Sequence, residues 1–322
     1  MSTGRKILTI CSQLKEIESR VKVVCPQLEV VHVDPPLLPI VLQQTDYLIA
    51  DFNHLAPILF ENPDRLKWVQ GTWAGADYLV KLVAAADKLP VIKVSRLTHP
   101  TFSQLMAEYC VSAVINIERG FKQCHELQRQ KIWAGDRLNN YRSLNELTIG
   151  ILGVGEIGSS CAKLLHGFGC QIIGLVNSPR LPDHYVSKYY CLSEVKELLR
   201  SADYIINVLP STPQTNNILS NDVLSACQGS GFINIGRGNV CTDQDIISAL
   251  NNGWLKEAYL DVFSVEPLPL DSGFWTHPRV TVTPHVAGSS RALEIVDCFL
   301  TNLNKMAKGE SPDGLINWEK MY

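Results

Sequence analysis

The chain has 322 residues, 46% hydrophobic and 19% charged, a balance that fits one or two globular domains and excludes disordered, fibrous and disulfide-stapled classes. Single cores stop growing at roughly 250–300 residues, so two lobes with a cleft between them are expected. Lys and Arg number 29 against 32 Asp and Glu, a formal charge of -3, which offers no cationic surface to nucleic acid and excludes it as an expected partner.

Met1 to Lys6 is polar and leads into a short apolar stretch rather than a signal h-region. No apolar run approaches the roughly 20 residues of a membrane span, and Glu319 to Tyr322 matches no retention, peroxisomal or prenylation signal. The 10 cysteines are scattered singly, without CxxC or Cys/His ligand spacing, and read as small buried hydrophobes in a reducing compartment. The expectation is a cytoplasmic protein with no membrane partner and no metal.

Short apolar strands alternate with amphipathic or turn-bounded stretches at Lys6 to Ile10, Leu28 to Val33, Tyr47 to Ala50, Trp68 to Gln70 and Val91 to Val94, the mark of a parallel α/β sheet. One long helix is predicted from about Thr101 to Trp133, with Met106, Cys110, Val114, Ile117 and Phe121 on its apolar face. A second βα series follows, with strands at Thr148 to Leu152, Gln171 to Val176, Tyr204 to Val208, Gly231 to Ile235, Ala258 to Val262 and Val280 to Thr283, and a last helix from about Arg291 to Met306.

The strongest local signal is a strand, Thr148 to Leu152, running into Gly153-Val154-Gly155-Glu156-Ile157-Gly158 and a helix to Phe168 whose buried face is Ile157, Cys161, Leu164, Leu165 and Phe168. Gly153 permits the tight turn and Gly155 a close approach to pyrophosphate. Gly158 lets the helix pack on the strand, leaving the amides of Glu156 and Ile157 at a positive helix end. The next strand ends in Asn177-Ser178-Pro179-Arg180, where an NAD enzyme would carry a carboxylate for the ribose hydroxyls. A hydroxyl at Ser178 and a cation at Arg180 suit a 2′-phosphate, so NADP(H) is expected in preference to NAD(H); a solvated loop charge is the other reading of Arg180.

Three further segments run out of the ends of predicted strands: Ile233 to Gly238, Leu260 to Leu268, and Val282 to Gly288. A doubly wound sheet presents its ligand crevice there. Arg237 can bind a carboxylate and polarise a carbonyl, His285 can exchange a proton with the oxygen as hydride moves, and Glu266 can fix the imidazole and raise its pKa. Singly each has an ordinary structural explanation; together they suit reduction of a 2-oxo acid. His277 reads as a turn residue, and Asp243 and Asp245 as helix-capping acids.

On the Gly153 to Gly158 turn, Leu209-Pro210-Ser211-Thr212-Pro213, Asn234 to Gly238, Leu260 to Pro267, and Trp275 to Val280 running into Thr283-Pro284-His285, the chain resembles the D-isomer-specific 2-hydroxyacid dehydrogenase family, and within it the glyoxylate/hydroxypyruvate reductase A type. The resemblance implies two flavodoxin-like, Rossmann-type lobes with parallel sheets, the NAD(P)-binding lobe (95–285) inserted into a split substrate lobe (1–94 plus 286–322). It implies Arg237, Glu266 and His285 as the catalytic set and Asp261 as the holder of the nicotinamide amide. Leu209, Pro210, Thr215, Ile235, Gly236, Ala287 and Gly288 complete the expected cofactor contacts. Trp73, Ala74 and Gly75 lie in the loop with which relatives grip the substrate carboxylate. There Trp73 would trim the pocket, stack on a longer substrate, or simply pack beside Trp68. The resemblance further implies a small-molecule 2-oxo acid substrate and a homodimer built from Thr101 to Tyr141. A dinucleotide-sensing interaction protein of the corepressor kind keeps the same residues and is the alternative to the enzyme.

Overall fold

The structure, a computed structural model, describes residues 5–86 and 88–319; residues 1–4 and 320–322, read above for targeting signals, lie outside the described residues. The chain divides into two compact units, one running to Phe102 and resuming at Ser289, the other Ser103–Gly288.

The first unit opens with β1 (Ile7–Cys11), α1 (Glu16–Val24), β2 (Glu29–His32), the short α2 (Leu38–Val41), β3 (Tyr47–Ala50), β4 (Trp68–Gly71), α3 (Asp77–Ala86) and β5 (Val94–Ser95). Its five strands are all parallel, in the order β2-β1-β3-β4-β5, which is the flavodoxin-like order. Leu8, Ile10, Leu48, Ile49 and Val69 are fully enclosed, because a parallel sheet covered on both faces needs continuous apolar runs rather than alternation. β5 is shorter than predicted: Val91 is exposed, and pairing with β4 starts only at Val94.

The second unit takes up the chain within α4 (Pro100–Glu118) and continues through α5 (Phe121–Arg129), β6 (Thr148–Leu152), α6 (Glu156–Gly167), β7 (Gln171–Val176), β8 (Lys188–Cys191), α7 (Val195–Ser201), β9 (Tyr204–Asn207), β10 (Ser230–Asn234), α8 (Asp243–Asn251), β11 (Leu255–Leu260) and β12 (Val280–Val282). Its seven strands are parallel, in the order β12-β11-β10-β9-β6-β7-β8. Counted from β6, this is the doubly wound dinucleotide-binding order with one extra strand, and its direction reverses beside β6.

Several details differ from the sequence reading. The long helix is two: Gly120 adopts a left-handed φ of 60° and ends α4, as such residues do just past a helix. Met106, Cys110, Val114 and Ile117 are buried as predicted, while Phe121, beyond the break, is exposed. β8 escaped prediction because it is a short edge strand whose outer residues are only partly covered. Phe168, expected on the buried face of α6, lies past the helix end and is exposed, and Ile157 is half-buried. All ten cysteines are free; Cys124 and Cys191 are half-buried and the others buried.

One charged cluster ties α4 to the sheet. Glu118 accepts hydrogen bonds from Arg142 Nε at 3.2 Å and Nη2 at 3.1 Å, from the Tyr204 hydroxyl at 2.5 Å and from Lys256 Nζ at 3.2 Å. Arg142 also pairs with Asp203, whose other oxygen accepts the Thr148 amide at 2.8 Å. Thr148 and Tyr204 are the first residues of β6 and β9, Asp203 directly precedes β9 and Lys256 is the second residue of β11, so the cluster sits at the amino edge of the sheet.

The chain closes with α9 (Ala292–Ala307), which packs on the first unit. Phe299 stacks on Trp68 with ring centroids 5.6 Å apart, and the buried Asn302 amide donates to Gln70 at 3.2 Å. Among the described residues, no helix is long and apolar enough to cross a membrane.

Candidate active site

Strands β6, β9, β10, β11 and β12 end in register: Leu152 lies beside Asn207, Asn207 beside Asn234, Asn234 beside Leu260, and Leu260 beside Val282. The loops that leave them start side by side along one edge, so residues far apart in sequence converge. Two asparagines that sequence reasoning gave no role bind these loops together. Asn207 Nδ2 donates to Asn234 Oδ1 at 2.8 Å; Asn207 Oδ1 accepts the Leu209 amide at 3.2 Å, and Asn234 Oδ1 the Gly236 amide at 3.1 Å. The missed signal was a polar residue closing each of two buried apolar strands.

At the glycine turn, a Cβ on Gly158 would lie 2.1 Å from the carbonyl oxygen of Gly153, so only glycine lets α6 start this close to β6. A Cβ on Gly155 would meet nothing within 4 Å. An open cradle at a helix N-terminus beside the strand-order reversal fits the pyrophosphate of a dinucleotide. Past β7, Asn177, Ser178 and Arg180 are exposed. Arg180 Nη1 donates to the Val154 carbonyl at 3.3 Å, and the guanidinium lies over the Tyr189 ring at 5.3 Å. Asp183, the one acid of the 177–186 loop, spends its carboxylate on the Tyr189 hydroxyl and the amides of Tyr185 and Val186. The end of β7 therefore presents hydroxyl, amide and cation.

Thr215, expected at the cofactor, is buried and gives its hydroxyl to the Pro210 carbonyl at 2.6 Å, closing the loop in which Leu209 is buried and Pro210 exposed. Ile235 is buried, so only its backbone can face a ligand. Ala287 is buried and Gly288 half-buried.

His285 Nδ1 and Glu266 Oε2 are 2.7 Å apart, and the other Glu266 oxygen accepts the Phe263 amide at 2.9 Å. The hydrogen bond to Glu266 raises the His285 pKa against the opposing effect of burial. Burial alone would raise the Glu266 carboxyl, but His285, the Phe263 amide and the Arg237 charge hold it below its usual range. Arg237 is half-buried, and its Nη1 donates to the Gly236 carbonyl at 2.6 Å. The neighbouring Gly238 would place a Cβ 2.0 Å from the Phe263 backbone, so glycine is what brings the arginine loop against the glutamate loop. The structure thus brings Arg237, Glu266 and His285 together. Asp261 lies beneath them with both carboxylate oxygens turned onto neighbouring chain: Oδ1 accepts from Thr283 Oγ1 at 2.6 Å and the Val286 amide at 2.8 Å, Oδ2 from the Ala287 amide at 2.9 Å.

In the first unit, Trp73, Ala74 and Gly75 follow β4. Trp73 is exposed and meets Phe52 edge-on at 5.9 Å, while Trp68 stacks on Phe299. The loop is anchored by the buried Asp51, which accepts from Thr72 Oγ1 at 2.6 Å, Ser12 Oγ at 2.8 Å and the Gln13 amide at 3.0 Å. Sequence reasoning passed over Asp51, although an acid directly after a fully apolar strand was the available signal.

His277 sits in a turn, its Nδ1 accepting the Arg279 amide at 3.2 Å. Thr242 and Asp245 form the capping box of α8. Among the described residues, no group of three or more His, Cys, Asp and Glu side chains is placed to hold a metal ion.

Residues 111–287 match the family model for the NAD-binding domain of D-isomer specific 2-hydroxyacid dehydrogenases. The chain is 36% identical over 260 residues to a glyoxylate/hydroxypyruvate reductase A of Escherichia fergusonii, covering 80% of this chain and 82% of that protein. A D-isomer specific 2-hydroxyacid dehydrogenase family protein from Aeromonas salmonicida superposes with a TM-score of 0.86 at 28% identity, over 98% of this chain and 100% of that one. The enzyme of that class from Xanthobacter autotrophicus, solved with NADPH and MES, gives a TM-score of 0.84 at 27% identity, over 99% and 100% of the two chains.

Proposed function

The chain belongs to the D-isomer-specific 2-hydroxyacid dehydrogenase family, and from that premise we propose that it reduces glyoxylate, hydroxypyruvate or a related small 2-oxo acid to the D-2-hydroxy acid, with NADPH preferred to NADH. It is an NAD(P)-dependent oxidoreductase. The relatives carry reductase names, which leaves the dinucleotide-sensing reading without support. The observation that carries the proposal is the 2.7 Å pairing of His285 with Glu266 beside Arg237.

The 103–288 unit is read as the dinucleotide-binding domain, with the pyrophosphate at the Gly153 to Gly158 turn and the 2′-phosphate at Ser178 and Arg180. When bound, the reduced nicotinamide supplies a hydride. Arg237 holds the substrate carboxylate through charge-assisted hydrogen bonds and draws electron density toward the carbonyl oxygen. His285, whose pKa the hydrogen bond to Glu266 raises, delivers the proton to that oxygen from Nε2 and takes it back in the reverse direction. Glu266 stays ionised and fixes the ring through Nδ1. Trp73, Ala74 and Gly75 are assigned to substrate contact on the family resemblance alone.

A homodimer and a cytoplasmic location complete the reading. The dimer is supported by the exposed side chains of Phe121, Ile132, Trp133 and Tyr141 within one stretch of the second unit, since apolar surface gathered in this way marks an interaction site. Steady-state assays over glyoxylate, hydroxypyruvate, pyruvate and phenylpyruvate, each with NADPH and NADH, test the function. Turnover of the first two with higher kcat/KM for NADPH is expected. No turnover of any of the four overturns the enzyme reading, and a clear NADH preference overturns the cofactor part.

A further inference from the structure

His285 has a left-handed backbone, with φ at 55°. That conformation costs a residue with a β-carbon on the order of 1 kcal/mol or more, and it persists only where neighbours impose it. Here the neighbour is Asp261. Its carbonyl accepts the His285 amide at 2.9 Å, and its carboxylate accepts the next two amides, Val286 at 2.8 Å and Ala287 at 2.9 Å. The carboxylate is held in turn. Thr283 Oγ1 donates to Asp261 Oδ1 at 2.6 Å, and the Tyr109 hydroxyl, 174 residues away in sequence on α4, stands 2.7 Å from the same Thr283 oxygen.

The direction of this chain follows from proton counting. Thr283 Oγ1 is the donor to Asp261, and a threonine hydroxyl has one proton, so with that proton spent on Asp261 it must accept from Tyr109. Burial pushes the Tyr109 phenol well above its usual pKa, so it remains a donor across the working range. Three donors from the 283–287 segment therefore converge on the carboxylate of Asp261, a residue 1% exposed, and α4 adds a fourth link through Tyr109 to Thr283, a fully partnered network of the kind that rigidifies its surroundings.

We propose that Tyr109 and Thr283 are positioning residues for the proton-transferring histidine. The pair fixes the Asp261 carboxylate, Asp261 fixes the turn through residues 285–287, and the turn holds the imidazole with Nδ1 on Glu266 and Nε2 toward the reacting oxygen. Neither residue acts on the substrate; both act through His285, and the inference rests on reading His285 as the proton donor. It also gives Asp261 a task in the protein itself, apart from any contact with the nicotinamide amide.

The test compares Thr283→Val, Thr283→Ser, Tyr109→Phe and, as the control for the parent reading, His285→Asn in the full chain. Glyoxylate kinetics, NADPH affinity by fluorescence titration and thermal midpoint are read for each. Thr283→Val is expected to lower kcat about tenfold while KM and NADPH affinity stay within about twofold, with Thr283→Ser restoring most of the loss. Tyr109→Phe, which keeps the ring and removes only the donor, is expected to lower kcat about three- to fivefold with the same split, and it decides the matter if Thr283→Val fails to fold. Wild-type kcat in both Thr283→Val and Tyr109→Phe, alongside an inactive His285→Asn, overturns this inference and leaves the proposed function standing. A loss of NADPH affinity as large as the loss of kcat also overturns it, since the hydroxyl would then serve the cofactor pocket. An active His285→Asn overturns the parent reading.

Discussion

A carboxylate and an imidazole 2.7 Å apart shift each other's protonation in opposite senses, and that sets two expected outcomes. His285→Ala removes the proposed proton donor and should lower kcat for reduction by roughly two to four orders of magnitude, measured at saturating NADPH. Glu266→Gln keeps the shape but removes the charge that raises the His285 pKa. Reduction needs the protonated imidazole, so activity is present below its pKa and lost as pH rises through it. With that pKa lowered, the basic limb of the kcat profile should move to lower pH; an unmoved limb would refute the pairing. That Arg237, Glu266 and His285 would share one sheet edge was legible in sequence because each lies in a loop that leaves a predicted strand. Asp261 was legible as important, but its engagement with the Val286 and Ala287 amides was not, because nothing in the spacing from 261 to 286 states which way a carboxylate turns.

At the scale of elements, α4 is fastened to the amino edge of its sheet by charge and the site loops are carried on the carboxyl edge. Glu118 is buried, which would raise its pKa, yet Arg142, Tyr204 and Lys256 bring it down to about 2. A carboxyl whose folded pKa is depressed contributes stability above its unfolded pKa, and that stability fades as pH falls from about 4.5 toward 2. Glu118→Gln should therefore cost on the order of 3 kcal/mol at pH 7, read from urea denaturation, and the gap to wild type should narrow below about pH 4.5. A constant gap from pH 7 to pH 3.5 would show that shape, not charge, carries the contribution. Boundaries of β3, β6 and β7 were read to the residue, since buried parallel strands are bare apolar runs with turn residues at each end. The single long helix was misread because an amphipathic pattern passes smoothly through Gly120, whose left-handed φ is a local event that periodicity does not register.

For the whole molecule, a formal charge of -3 accords with a small anionic substrate, because a few focused donors recognise a carboxylate without a basic surface. The dimer proposal is tested by sedimentation: the wild-type chain is expected at twice its monomer mass, and Trp133→Glu, which places a charge at a fully exposed indole, is expected to sediment as monomer with its thermal midpoint little changed. A wild-type monomer would refute it. By itself the sequence determined the parallel α/β class, the glycine turn before α6, the absence of an acid at the end of β7, and Arg237, Glu266 and His285 as the candidates for the chemistry. These are encoded within single segments, as hydrophobic period, turn chemistry and residue type. Only the tertiary structure decided that Asn207 and Asn234 tie adjacent loops together, that Asp51 anchors the loop after β4, and that Tyr109 reaches Thr283 across 174 residues. Such partners are set by strand order and register, which bring distant residues within hydrogen-bonding reach and leave no trace in local spacing.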